Sequence, residues 1–288
     1  MKKIGVFVVL VFIAIVGIGA YFYIPSPDGE YDNNNVLVDP AAMDRIKASV
    51  VRIVSATMFE TQDGAHYPDS RSVSGTVVAE KYILTVAHVV APDGEFEVMV
   101  PFQGRVTMPA KKVSEWFFLW YAHPGIPIKL IHVDRVKDFA IFELPPNVVL
   151  PSFPYAMGKS VDLKTGNFLY VFGYPLSLSD VNVRPGIVSG LSLPFEWNPP
   201  GGELLREDFF MVSNGIISGD SGGPLVAIRD GAYEFAGLSS SNADPYVVLG
   251  AAGRIDAIRE AILNDCPECP DELKDFFKTD EPAKPAEY

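Results

Sequence analysis

The stretch Ser218-Gly219-Asp220-Ser221-Gly222-Gly223-Pro224 limits what this 288-residue chain can become more than any other. It sets a serine among glycines, directly before the apolar run Leu225-Val226-Ala227-Ile228. Glycine at the mouth of a strand costs backbone entropy and packs nothing, so it marks a tight turn or a close approach to the main chain. Both suit a nucleophilic serine, whose hydroxyl must be exposed beside amide N–H groups able to hold an oxyanion. A serine hydroxyl alone is a weak nucleophile, so the fold must also bring it a base and an orienting acid.

Four histidines could supply the base. His88 closes the run Tyr82-Ile83-Leu84-Thr85-Val86-Ala87-His88, at the predicted end of a buried strand, and is the expected base. His66, among Asp63, Gly64, Pro68 and Asp69, and His123, before Pro124-Gly125, read as solvated loop residues. His132 falls in a predicted strand from Ile128 to Val133 and reads as structural. The acid is expected at Asp138, which opens Asp138-Phe139-Ala140-Ile141-Phe142-Glu143-Leu144. A carboxylate carried inward by that strand needs a partner, and the imidazole N–H of His88 would serve. Asp134 is its rival, but it lies in a more polar run with Arg135 and Lys137 and reads as a turn residue. Two other hydrolase plans fail on order. Gly219-x-Ser221-x-Gly223 fits a nucleophile elbow, but that fold needs a histidine after the serine and none follows His132. An Asp–His–Ser order would draw its acid from Asp63 or Asp69, both in a polar loop.

Thr85-Val86-Ala87-His88, Asp138-Phe139-Ala140-Ile141 and Gly219-Asp220-Ser221-Gly222-Gly223-Pro224, in that order, resemble the chymotrypsin-like serine proteases. Phe172-Gly173-Tyr174-Pro175 and Arg184-Pro185-Gly186-Ile187-Val188-Ser189-Gly190 look like second-barrel strands of the bacterial HtrA/Deg branch. The resemblance implies an all-β fold of two antiparallel six-stranded β-barrels with the site between them, in keeping with short strands separated by turns. It implies the roles of base, acid and nucleophile for His88, Asp138 and Ser221, and an oxyanion hole from the Gly219 and Ser221 amides. It also places Gly215 at the base of the primary pocket, with Ser240 and Asn242 on a wall strand, Gly237 to Asn242, that pairs with substrate. Without an acid at Gly215, a small or medium apolar side chain is the expected preference. No metal or organic cofactor is implied, and a PDZ domain is not expected. Arg52-Ile53-Val54 looks like an activation cleavage site, but Ser55 and Ala56 stand where glycines belong, so activity without a cut is expected. Asp220 argues the other way: zymogen-type relatives pair this aspartate with a new N-terminus, whereas HtrA-like members usually carry asparagine.

The domain plan follows from composition. Residues 1–24 are expected to be a transmembrane anchor: Ile4 to Ile24 is uncharged and would span roughly 30 Å as a helix. Lys2 and Lys3 favour a cytoplasmic N-terminus, which places the rest in the periplasm or outside the cell. A cleaved signal peptide is the alternative, though no A-x-A site follows the run. Residues 25–42 read as a polar linker, 43–264 as the protease domain with a C-terminal helix from Arg254 to Leu263, and 265–288 as an acidic, mobile tail. Cys266-Pro267-Glu268-Cys269 are the chain's two cysteines and are expected to form a local disulfide, with a half-site completed by a second chain still open. A homo-oligomer is likewise open. The aromatic run Glu115 to Tyr121 is either a barrel strand or an exposed patch. A net charge of −13 leaves no basic field for nucleic acid. The function expected is a membrane-anchored serine endopeptidase acting on polypeptides in extracytoplasmic protein processing or quality control. The other reading is a catalytically silent protease-fold sensor or peptide-binding module.

Overall fold

The computed structural model describes residues 29–32, 39–100, 104–120, 125–194, 206–242 and 249–279. The predicted anchor, residues 1–24, and His123 lie outside them. Among the described residues no helix is long and apolar enough to cross a membrane.

The first barrel is built from β1 (Val50–Thr61), β2 (His66–Val78), β3 (Tyr82–Thr85), β5 (Gly104–Leu119), β6 (Ile126–Asp134) and β7 (Phe139–Glu143). Their order is β1-β2-β3-β7-β6-β5, and antiparallel pairing of β1 with β5 closes the ring. Closure removes the open edges that a flat sheet would expose. β4 (Glu95–Val100) lies outside it, paired with the first half of β5 as a hairpin arm. Burial alternates along β1, the period of a strand with one face inward. β3 is buried at every position and β7 at all but its last, which suits their central place. In the aromatic run, Phe117 and Leu119 point into the core while Trp116 stays 55% exposed. The run is therefore a barrel strand with one exposed indole.

The second barrel uses β9 (Phe168–Gly173), β10 (Asn182–Gly190), β11 (Phe209–Val212), β12 (Pro224–Arg229), β13 (Ala232–Asn242) and β14 (Gly250–Arg254). The order is β12-β9-β10-β11-β14-β13, closed by β12 on β13, and the two-residue β8 (Ala156–Met157) adds to β13 in parallel. Each barrel thus has six strands, as expected, plus one appended strand.

Three described helices flank the barrels. α1 (Pro40–Ala48) is capped by the Asp39 carboxylate, which accepts from the Ala41 amide at 2.9 Å, and it buries Ala42, Met43 and Ile46. α2 (Ile255–Asn264) buries the predicted face, Ile255, Ile258 and Ile262, against β13 and β14. Two expectations about the ends need correction. Residues 265–279 are not a loose tail: Cys266 and Cys269 form the expected disulfide, and α3 (Asp271–Lys278) buries Leu273 and Phe277 in the main core. The two apolar residues sit four apart on one helix face, a signal masked by the acidic residues around them. Nor is the linker polar throughout. Tyr31 is buried, donates to Glu234 Oε2 at 2.8 Å and lies 4.1 Å beneath the Arg229 guanidinium.

Candidate active site

Beyond Thr85 the chain leaves β3 through a single 3-10 turn, Ala87–Val89, and His88 rides on that turn rather than in the strand. Asp138 sits immediately before β7 with φ +51°, a left-handed conformation that costs a non-glycine residue about 1–2 kcal/mol. The conformation turns its carboxylate back to His88. Nδ1 of His88 lies 3.0 Å from Asp138 Oδ2 and 3.1 Å from Oδ1, and the His88 amide donates to Oδ1 at 3.1 Å. A third donor is the Ser240 hydroxyl, 2.6 Å from Oδ2. Burial pushes the Asp138 carboxyl up, but the His88 charge and the hydrogen bonds from His88 and Ser240 outweigh it and hold the group below its ordinary value. An ionised Asp138 accepting from Nδ1 leaves Nε2 as the proton acceptor.

The rival residues go elsewhere. Asp134 Oδ1 accepts from the Val136 and Lys137 amides, both at 2.9 Å, and so closes a turn. His66 opens β2 opposite Glu60, in a strand rather than a loop. His132 Nδ1 binds Glu268 Oε1 at 2.6 Å and its ring rests on Phe139, a structural role as expected. His132, Cys266 and Glu268 bring possible ligand atoms within 4.8 Å of one another, but the Cys266 sulfur is committed to Cys269.

Ser221 is 9% exposed, and its Oγ donates to the Ser240 carbonyl at 2.6 Å; among the described hydrogen bonds none joins it to His88. Ser240 therefore touches both Asp138, through its hydroxyl, and Ser221, through its carbonyl. It can do so because it is the bulge residue of β13: the register with β14 slips between Ser239 and Ser241 and leaves Ser240 unpaired there. The sequence reading placed Ser240 only on the substrate wall; three serines in a row at a strand's end were the available hint. Asn242 ends β13 opposite Gly250, and its side chain lies outside the described residues.

The Gly219 and Ser221 amides, the expected oxyanion donors, are oriented by what their own peptide carbonyls bind. The Ser218 carbonyl accepts from the Leu176 amide at 2.6 Å, and the Asp220 carbonyl accepts from the Gly223 amide at 2.9 Å. In a trans peptide the N–H points opposite the C=O, so the Gly219 and Ser221 amides face away from those partners. Neither amide has an intramolecular acceptor among the described residues. Ser74 of the first barrel pins the same turn. Its hydroxyl donates to the Gly219 carbonyl at 2.7 Å, and its amide donates to the Ser221 carbonyl at 2.8 Å. Gly222, at φ +88°, must be glycine, since a Cβ there would lie 2.1 Å from the Ser74 carbonyl oxygen. Gly215, the expected pocket base, has its carbonyl held by Arg184 Nη2 at 3.3 Å.

Similarity to known proteins agrees with this geometry. Residues 73–233 match the trypsin-like peptidase domain. The chain is 28% identical over 163 residues to serine protease HTRA2, mitochondrial, of Bos taurus, covering 57% of this chain and 30% of the relative. To serine protease HTRA1B of Danio rerio it is 30% identical over 206 residues, covering 70% and 36% respectively. The chain thus spans about a third of the length of the curated relatives it matches. A solved structure, HtrA-type protease AlgWS227A with tripeptide, shares the fold at a TM-score of 0.53 and 19% identity, over 80% of this chain and 65% of that one. Two closed six-stranded barrels, the match over residues 73–233 and this set of relatives lead to one conclusion: the chain belongs to the trypsin-like peptidase domain family, among its HtrA-type members.

Proposed function

We propose that the chain is a serine endopeptidase in which His88, Asp138 and Ser221 carry the chemistry. The Ser221 hydroxyl turns from the Ser240 carbonyl to His88, gives its proton to Nε2 and attacks a peptide carbonyl. Asp138 fixes the imidazole tautomer and stabilises the cation that forms. The negative oxygen of the tetrahedral adduct takes the Gly219 and Ser221 amides, where losing one donor typically costs about 10²–10³ in rate. Collapse breaks the C–N bond, the leaving amine takes the proton from His88, and an acyl ester remains on Ser221. Water, deprotonated by His88, then releases the acid. A small or medium apolar residue before the scissile bond suits a pocket based on Gly215.

The observation that carries this reading is the chain of contacts His88–Asp138–Ser240–Ser221, which gathers residues from four parts of the sequence around one bulge. The proposal extends to place: residues 1–24 anchor the protein in the inner membrane, a linker follows from residue 25, and the catalytic domain works outside the cytoplasm. Support comes from the lysines before an uncharged apolar run and from a Cys266–Cys269 disulfide, which suits an oxidising compartment.

A second reading, a silent protease-fold binding module, is favoured by one observation only: the Ser221 hydroxyl is turned to the Ser240 carbonyl. Labelling with a fluorophosphonate separates the two. The full chain should be labelled at Ser221 and Ser221→Ala should not be. A wild-type chain left unlabelled where an HtrA-type control reacts would remove the enzymatic reading.

A further inference from the structure

The turn that carries Ser221 also contains a carboxylate with no part in the chemistry above. Asp220 is fully buried. Its Oδ2 accepts from the Ile217 amide at 2.8 Å and is ion-paired with Arg184 Nη2, while Oδ1 has no hydrogen-bond partner among the described residues. Gly173 crowds that oxygen, since a Cβ at 173 would stand 2.8 Å from it. One amide and one guanidinium therefore carry the whole charge. Burial pushes the Asp220 carboxyl above its ordinary value, and Arg184 and the Ile217 amide offset only part of that rise. A buried carboxylate stripped of its only cation is among the costliest defects a fold can hold.

Arg184 reaches the turn from β10, 36 residues before Asp220 in the chain. The same Nη2 donates to the Gly215 carbonyl, and the Arg184 carbonyl accepts from Asn214 Nδ2 at 3.1 Å. The guanidinium thus fastens both ends of one segment: the expected pocket base at Gly215 and the residue before the nucleophile. The peptide linking Asp220 to Ser221 supplies one of the two oxyanion amides, so wherever Asp220 is held, that N–H is aimed. Leu176 grips the other oxyanion peptide by its carbonyl, but no charge is involved there.

We infer that Arg184 is a positioning residue: by pairing with Asp220 it holds the 215–221 turn in its oxyanion-binding shape, so the turn needs no charge created by a cleavage. Its kinetic arm rests on the reading of Ser221 as nucleophile; its structural arm does not. Arg184→Met keeps most of the alkyl stem and removes the charge. Arg184→Lys keeps a charge without the guanidinium fork. The double variant Arg184→Met/Asp220→Asn removes both charges and leaves neither buried alone.

The test uses the full chain with a peptide thioester substrate. Arg184→Met should lower kcat by about 10²-fold, the loss typical of one misplaced oxyanion donor, with KM held within about twofold. Arg184→Lys and the double variant should each recover most of that loss. Hydrogen exchange read over residues 213–223 should be faster in Arg184→Met than in wild type and restored in the double variant, with the first barrel unchanged. The inference is overturned by a kcat in Arg184→Met equal to wild type, by lysine doing no better than methionine, or by unchanged protection across 213–223. A wild-type chain that takes no fluorophosphonate would sink the nucleophile reading instead, and the exchange comparison would still decide the role of Arg184.

Discussion

Replacing Ser240 with alanine removes one of three donors from the Asp138 carboxylate while leaving intact the backbone carbonyl that receives the Ser221 hydroxyl. The lost bond is short, 2.6 Å, and both residues are under a tenth exposed, so solvent cannot replace it without opening the site. A hydrogen bond to a buried charge is worth about 1.5–3 kcal/mol, against about 0.5–1.5 kcal/mol when both partners are neutral. Near neutral pH the variant should therefore unfold more easily in urea by about 1.5–3 kcal/mol. Asp138 has a folded value below its unfolded one. Its stabilisation is complete above the unfolded value and is lost as pH falls through the folded value. Ser240→Ala raises the folded value, so less remains to be lost and the two stability curves converge in acid. A differential of about 1.4 kcal/mol moves the acid limb of the variant up by about one pH unit. Urea titrations of both chains from neutral to acid pH measure this directly. A stability difference that stays constant across the acid limb would refute the claim that Ser240 supports the charged form of Asp138.

Three further outcomes follow from local geometry. Gly222→Ala forces a Cβ to within 2.2 Å of both the Ser74 carbonyl and Thr85 Oγ1, and thermal unfolding should show a loss on the order of 3 kcal/mol together with loss of fluorophosphonate labelling. Reducing the Cys266–Cys269 disulfide, or replacing both cysteines by serine, opens only a very short loop and should cost about 2 kcal/mol in a urea titration. A shift of zero would show that α3 holds without it. Leu176 is 71% exposed at φ +53°, so Leu176→Gly should raise the melting temperature slightly, by relief of about 0.5–1 kcal/mol of backbone strain beyond the entropy that glycine adds to the unfolded chain.

The candidate site residues were legible because the chemistry expected of them needs unusual neighbours. Glycines around Ser221 are forced by atoms that a Cβ would strike, so the sequence must display them. Asp138 was separable from Asp134 by the apolar run behind it, and in the structure His88 lies against Asp138 while Asp134 closes a turn. The barrel strands were readable as alternating or continuous apolar runs. What escaped were pairings with no local signature. Ring closure joins β1 to β5, about half a barrel apart in sequence, and nothing in either strand announces its partner. Arg184 looked like one more strand residue because its counter-charge comes from another loop. α3 was hidden because its two buried residues lie among aspartate, glutamate and lysine, and composition outvoted spacing.

Ser74 has every polar atom occupied: its amide by the Ser221 carbonyl, its carbonyl by the Thr85 hydroxyl, and its own hydroxyl between the Tyr174 amide and the Gly219 carbonyl. Three of those four contacts cross from one barrel to the other. A ribosome delivers residue 74 long before residue 221, so a half-synthesised chain holds the clasp without the part it fastens. The turn around Ser221 is therefore fastened only once both halves have been made and have met.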